Sequence, residues 1–184
     1  METIKVSDRT FRSYLSRDRI QEEVARVARE ISKDMESVER PLFVCVLNGA
    51  FVFASDLFRQ LTLPDAEITF IRMKSYEGTR TTGKVKAIVG LIESVVDRDI
   101  VIVEDIVDSG YTMKRLISQL GDLGAKSIKV CCLLKKPKAI KVPNLQLDYV
   151  ALEIPNDFIV GYGLDYNEQG RNLPDIWVVN DYMN

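Results

Sequence analysis

The chain has 184 residues, 46% of them hydrophobic, which supports one sizeable core and leaves no room for two ordinary domains with a linker. Its 25 basic and 27 acidic residues nearly balance, so neither nucleic acid nor an anionic membrane is an expected partner on charge grounds. No histidine is present, which excludes Ser-His-Asp and Cys-His nucleophilic systems, HExxH zinc sites and any imidazole base. Whatever chemistry occurs must run on carboxylates, amines, hydroxyls and backbone.

Residues 1–12 mix charges with isolated apolar positions and lack the apolar run of a signal peptide. No later stretch is long enough to span a bilayer, so a cytoplasmic location is expected. After Ser16, a suitable N-cap, Ile20, Val24, Val27, Ala28 and Ile31 recur at helical spacing and predict an amphipathic helix. The apolar run Leu42–Leu47 ends at Asn48-Gly49, and Phe51, Phe53, Ala54, Leu57 and Phe58 follow with helical spacing: strand, tight turn, helix. Residues 67–73 and 85–91 read as strands. Between them, residues 75–83 form a polar loop suited to a mobile lid.

Residues 100–103 are a buried strand that runs into acids, a Gly turn and a helix. That helix is expected to bury Met113, Leu116, Ile117, Leu120 and Leu123 and to stop at Gly124. Residues 128–134 make another buried strand. Alternating strands and helices with continuous apolar strand cores predict an α/β fold, a mainly parallel twisted sheet flanked by helices. The last third loses this rhythm. It has strands near 149–154 and 176–179, and is expected to form a small irregular hood, residues 135–184, over one end of the sheet within a single 1–184 domain. Cys45, Cys131 and Cys132 lie in apolar runs without CxxC spacing and read as core thiols.

The chemistry concentrates where the 100–103 strand meets Glu104, Asp105, Asp108, Ser109, Gly110, Tyr111 and Thr112. In open α/β sheets ligands bind beyond the carboxyl ends of strands. A turn of Ser109, Gly110, Tyr111 and Thr112 entering a helix offers free N–H groups, the favourable dipole end and hydroxyls, a cradle for one phosphate. Three carboxylates beside that cradle repel phosphate unless sugar hydroxyls and a bound Mg²⁺ intervene, so the pattern suits a ribose phosphate better than a bare phosphate.

This stretch resembles the phosphoribosyl pyrophosphate motif of type I phosphoribosyltransferases: an apolar strand, two acids, two apolar residues, Asp, Ser or Thr, Gly, any residue, Thr. Other segments resemble the hypoxanthine-guanine phosphoribosyltransferase family more narrowly. The resemblance implies pyrophosphate binding at Leu47, Asn48 and Gly49, through backbone N–H groups at a non-proline cis peptide, and at Arg171. The family often has Lys or Arg where this chain has Asn48. It further implies a flexible loop carrying Ser75 and Tyr76, and a purine pocket made by Phe158 stacking, Ile159 backbone, Asp165, and Lys136 donating to the purine O6, with Lys135 one place away. Glu104, Asp105 and Asp165 are its implied metal-site acids.

The implied reaction takes hypoxanthine, and guanine, with phosphoribosyl pyrophosphate to IMP, and GMP, plus pyrophosphate. It uses Mg²⁺, with Glu104 and Asp105 orienting the ribose and Asp108 as the candidate acid–base group at purine N7. A homodimer or homotetramer is implied, acting on small molecules and not on nucleic acid or membrane. The competing reading is a non-catalytic regulatory protein that senses nucleotides with the same fold. The acidic balance and the intact set of Asp108, Lys136 and Asp165 weigh against it.

Overall fold

The structure, a computed structural model, describes residues 2–76 and 85–180. In chain order the elements are β1 (Thr3–Val6), β2 (Arg9–Leu15), α1 (Arg17–Asp34), β3 (Leu42–Leu47), α2 (Phe51–Phe58), β4 (Glu67–Tyr76) and β5 (Val85–Val89). They continue with β6 (Asp99–Val107), α3 (Tyr111–Asp122), β7 (Ser127–Lys135), β8 (Tyr149–Glu153), β9 (Ile159–Val160) and β10 (Ile176–Val179).

Six strands make the main sheet in the order β5-β4-β3-β6-β7-β8. The five from β4 to β8 are parallel, and β5 closes one edge antiparallel to β4. The expected parallel α/β sheet is therefore found, and its strand order reverses between β3 and β6, where such sheets place ligands. Strand residues alternate between two cores, as a period of two requires. Phe43, Cys45, Val101 and Val103 pack with α1 and α2, whereas Leu42, Val44, Ile100 and Ile102 pack with α3.

The helices form for the reasons read from their sequence. The Ser16 hydroxyl accepts a hydrogen bond from the Arg19 N–H and caps α1, whose Ile20, Val24, Val27, Ala28 and Ile31 are all buried. In α3, Met113, Leu116 and Leu120 are buried, but Leu123 is 49% exposed. Leu123 caps the helix, and Gly124 takes a left-handed φ of 91° that turns the chain away, so its side chain never reaches the core. Cys45, Cys131 and Cys132 are buried free thiols, as expected. No helix among the described residues is long and apolar enough to cross a membrane.

Two boundaries differ from the sequence reading. Ser75 and Tyr76 belong to the backbone of β4, because the antiparallel pairing of Ser75 with Lys86 and Tyr76 with Val85 carries the strand through them. The remainder of the expected lid, residues 77–84, lies outside the described residues. The hood is also built differently. It is a regular four-stranded antiparallel sheet, β1-β2-β10-β9, that takes two strands from the amino terminus, while β8, inside the last third, is an edge of the main sheet. Phe11, Val6, Val160 and Trp177 form its own small core. Long-range pairing fixes these short strands, and local periodicity carries no trace of it.

Candidate active site

Three chain segments meet at the carboxyl ends of β3 and β6. The β3 turn, Leu47-Asn48-Gly49, contains a non-proline cis peptide bond between Leu47 and Asn48, and the Asn48 side-chain oxygen accepts a hydrogen bond from Arg72 of β4 at 2.8 Å. Asp105, near the end of β6, points under this turn. A Cβ at Gly49 would collide with the Asp105 carboxylate, and a Cβ at Gly163 would collide with the Gly49 carbonyl. Glycine at both positions is what allows β6, the β3 turn and the hood loop to touch.

Asp105 accepts a hydrogen bond from the Ile106 N–H at 2.8 Å. Burial holds its carboxyl above the usual carboxylate range, and hydrogen bonding with the Glu104 side chain and backbone N–H groups offsets only part of that rise. A buried carboxyl held up in this way beside a second acid is relieved by a proton or a cation. That chemistry fits a hard divalent ion, which takes oxygen ligands. The three acids read as metal-site residues do not gather, however: no cluster of three metal-ligating side chains occurs among the described residues. Asp165 instead pairs with Arg171 at 2.8 Å and accepts a hydrogen bond from the Glu168 N–H. With Asp165 held by Arg171, a bound ion would need ligand oxygens to complete its shell.

Downstream of these acids, Asp108, Ser109 and Gly110 form the turn into α3, with Asp108 exposed. Gly110 is the N-cap with φ 83° and brings no capping side chain, so the first turn of α3 is entered through backbone alone. Glu104, Ile106, Val107, Asp108, Ser109, Gly110, Thr112 and Met113 line a cavity of about 130 Å³ at this point. Backbone donors, a helix N-terminus and a small, half-open volume suit one phosphate group. Tyr111 starts the helix with its ring exposed.

The segment after β7 closes against this turn. The Lys136 N–H donates to the Val107 carbonyl and the Lys141 N–H to the Ser109 carbonyl, both at 3.0 Å. Lys136 is only 9% exposed, whereas the Lys135 ammonium is held by Glu153 at 2.7 Å. Of the two neighbouring lysines, Lys136 is thus the buried one, its backbone held against Val107.

On the hood, Ile159 is buried and Phe158 stays 42% exposed. Phe158 is backed by Phe11, by an edge-on Tyr166 with ring centroids 5.6 Å apart, and by the Arg9 guanidinium 5.9 Å from its centroid. Arg171 donates to the Gly163 carbonyl at 2.9 Å while its own carbonyl accepts from the Gly163 N–H. The structure therefore brings together Leu47, Asn48, Gly49, Asp105, Gly163, Asp165 and Arg171, and gathers Glu104, Asp108, Ser109, Gly110 and Thr112 around the cavity, with the Lys136 backbone against Val107. Sequence reasoning missed Arg9, Arg72, Asp56 and Tyr162. Arg72 reaches Asn48 and Arg9 backs Phe158, while Asp56 and Tyr162 bond each other behind the site, all through contacts between distant segments. Tyr162 alone stood inside a stretch already singled out.

Comparison with known proteins places the chain in a family. The sequence matches the phosphoribosyl transferase domain over residues 13–167. It is 40% identical over 166 residues to the hypoxanthine-guanine phosphoribosyltransferase of Bacillus subtilis, a match covering 90% of this chain and 91% of that protein. It is 41% identical over 166 residues to the bifunctional protein TilS/HprT of Listeria monocytogenes, but the match spans only 25% of that longer protein. The crystal structure of a hypoxanthine-guanine phosphoribosyltransferase from Bacillus anthracis superposes with a TM-score of 0.80 at 38% identity, covering 92% of this chain and 97% of the other.

Proposed function

Because this chain belongs to the phosphoribosyl transferase domain family, we propose that it transfers the ribose 5-phosphate of phosphoribosyl pyrophosphate to a 6-oxopurine, hypoxanthine or guanine, releasing pyrophosphate. The observation that carries this reading is the convergence at the end of β6. Asp105 lies under the Gly49 turn, and its neighbour Glu104 lines a phosphate-sized cavity at the start of α3, where Gly110 supplies no capping side chain. A bare phosphate site would not place two poorly hydrated carboxyls there, whereas a ribose diol with a metal ion would use both. The intact acids and the inward Lys136 favour catalysis over the regulatory alternative.

In this reading the 5-phosphate sits on the N–H groups at Ser109 to Thr112, and Glu104 and Asp105 orient the ribose hydroxyls. The pyrophosphate lies against the backbone of Leu47, Asn48 and Gly49, with Arg171 as its cation. Glu104, Asp105 and Asp165 are the acids that would hold Mg²⁺, which when bound neutralises the leaving pyrophosphate. Phe158 stacks on the purine, Ile159 contacts it through backbone, and Lys136 donates to O6. Asp108, exposed on the turn into α3, exchanges a proton at N7 while N9 attacks the ribose C1 and the C1–O bond to pyrophosphate breaks. Ser75 and Tyr76, at the end of β4, are the residues that would close over the reacting ribose. The same reading makes the protein a cytoplasmic homodimer or homotetramer.

The experiment is pyrophosphate release from phosphoribosyl pyrophosphate and hypoxanthine with Mg²⁺. Turnover that falls to background in excess chelator, and returns on adding Mg²⁺, is expected. No release with any 6-oxopurine overturns the assignment.

A further inference from the structure

A half-buried hydrogen-bonded network lies behind the site, and the side-chain bonds that join it reach none of the residues to which the reaction assigns a role. The Tyr162 ring is 3% exposed, and its hydroxyl donates to Asp56 Oδ2 on α2 at 2.6 Å. The same Asp56 oxygen accepts from Gln21 of α1 at 2.6 Å, and the other oxygen accepts from Arg59 at 2.6 Å. Gln21 also reaches the Tyr162 oxygen at 3.1 Å. One carboxylate thus ties two helices of the main core to a hood loop.

The loop that Tyr162 anchors is the one pressed on the pyrophosphate turn. Tyr162 stands between Gly161 and Gly163, all three at positive φ, and the Gly161 and Leu164 backbones bond each other in a tight turn. One residue on, Gly163 abuts the Gly49 carbonyl and exchanges two hydrogen bonds with Arg171, which holds Asp165. The base-side residues have a different anchor: the Phe158 carbonyl accepts from the Val179 N–H, and Ile159 pairs with Val178. Loss of the Tyr162 hydroxyl should therefore loosen the phosphate side and spare the base side.

We infer that the Tyr162–Asp56 hydrogen bond is a positioning latch for pyrophosphate recognition, setting the Gly163–Arg171–Asp165 unit against the Gly49 turn. The inference rests on the phosphoribosyltransferase reading above. The titration of both partners is consistent with a strong bond. Burial and the Asp56 charge push the Tyr162 hydroxyl far up; burial also pushes the Asp56 carboxyl up, but hydrogen bonds from Tyr162, Gln21 and Arg59 outweigh it and leave it below the usual range.

The test measures KM for phosphoribosyl pyrophosphate and for hypoxanthine, with thermal melts, in Tyr162→Phe, Asp56→Asn, Asp56→Ala and the Tyr162→Phe/Asp56→Ala double variant. Tyr162→Phe is expected to raise KM for phosphoribosyl pyrophosphate about five- to tenfold while KM for hypoxanthine moves less than about twofold. Asp56→Asn keeps an acceptor and should be milder than Asp56→Ala, and the double variant should be no worse than Asp56→Ala alone. If Tyr162→Phe does not fold, Gln21→Ala and Asp56→Asn read the same KM split from the other partners. Lower melting temperature with both KM values unchanged, or an equal rise in both, overturns the latch. A wild-type protein without transferase activity would instead refute the underlying reading.

Discussion

The proposed phosphate side of the site and the proposed base side are put together in different ways. Residues 104–112 are one continuous stretch: a buried strand delivers the acids, a glycine turns the chain, and a helix presents its N-terminus. The base side needs a hood whose four strands come from both ends of the chain, with Phe158 backed by Phe11 and Arg9 from the amino terminus. A local stretch can be right on its own, since its geometry follows from a strand, a turn and a helix start. The hood is right only after the loops between its strands have been closed by folding, so its residues depend on packing far away in sequence.

Changes that break the hood should therefore act first through stability, and changes on the phosphate side through rate. The largest effect is expected from Phe11→Ala, which removes a fully buried ring from the small hood core. About 3–5 kcal/mol of unfolding free energy should be lost in denaturant melts. A loss under about 1 kcal/mol would mean that this core does not hold the hood. Next is Asp108→Asn, exposed on its turn and so structurally undemanding. Turnover should fall roughly 10²-fold with the melt and phosphoribosyl pyrophosphate binding preserved. Near-normal turnover removes Asp108 from the mechanism.

The smallest effect joins the two regions. Asp56 titrates below the usual carboxylate range in the folded protein, so its stabilising contribution is complete above the unfolded value near ~3.9 and is lost as pH falls through the lower folded value. Asp56→Asn should flatten the acid limb of a stability–pH profile below about pH 4 and leave the neutral plateau nearly parallel. An unchanged acid limb would show that the latch carboxylate is not paired in solution.

The same contrast explains what could be read from the sequence. The parallel sheet, α1 with its Ser16 cap, and the Glu104 to Thr112 stretch follow from periodicity and local turn chemistry, and the structure has them. Strands β1, β2 and β9 were not foreseen, because β9 is two residues long and β1 and β2 carry only weak alternation. The Tyr162–Asp56 contact spans 106 positions and leaves no periodic signal. Nor could sequence decide between Lys135 and Lys136. The register that sets Lys135 beside Glu153 turns Lys136 inward.

That inward lysine makes the central claim testable in one assay, initial rates with hypoxanthine, guanine, xanthine and adenine at fixed phosphoribosyl pyrophosphate and Mg²⁺. A protonated lysine can only donate, so it pairs with the O6 acceptor of the oxopurines and finds no partner on the 6-amino group of adenine. A pocket that loses such a bond discriminates by roughly 10⁴-fold. Hypoxanthine and guanine are expected to be fast, xanthine slower, and adenine nearly inert. Adenine turnover within about tenfold of hypoxanthine would contradict the account.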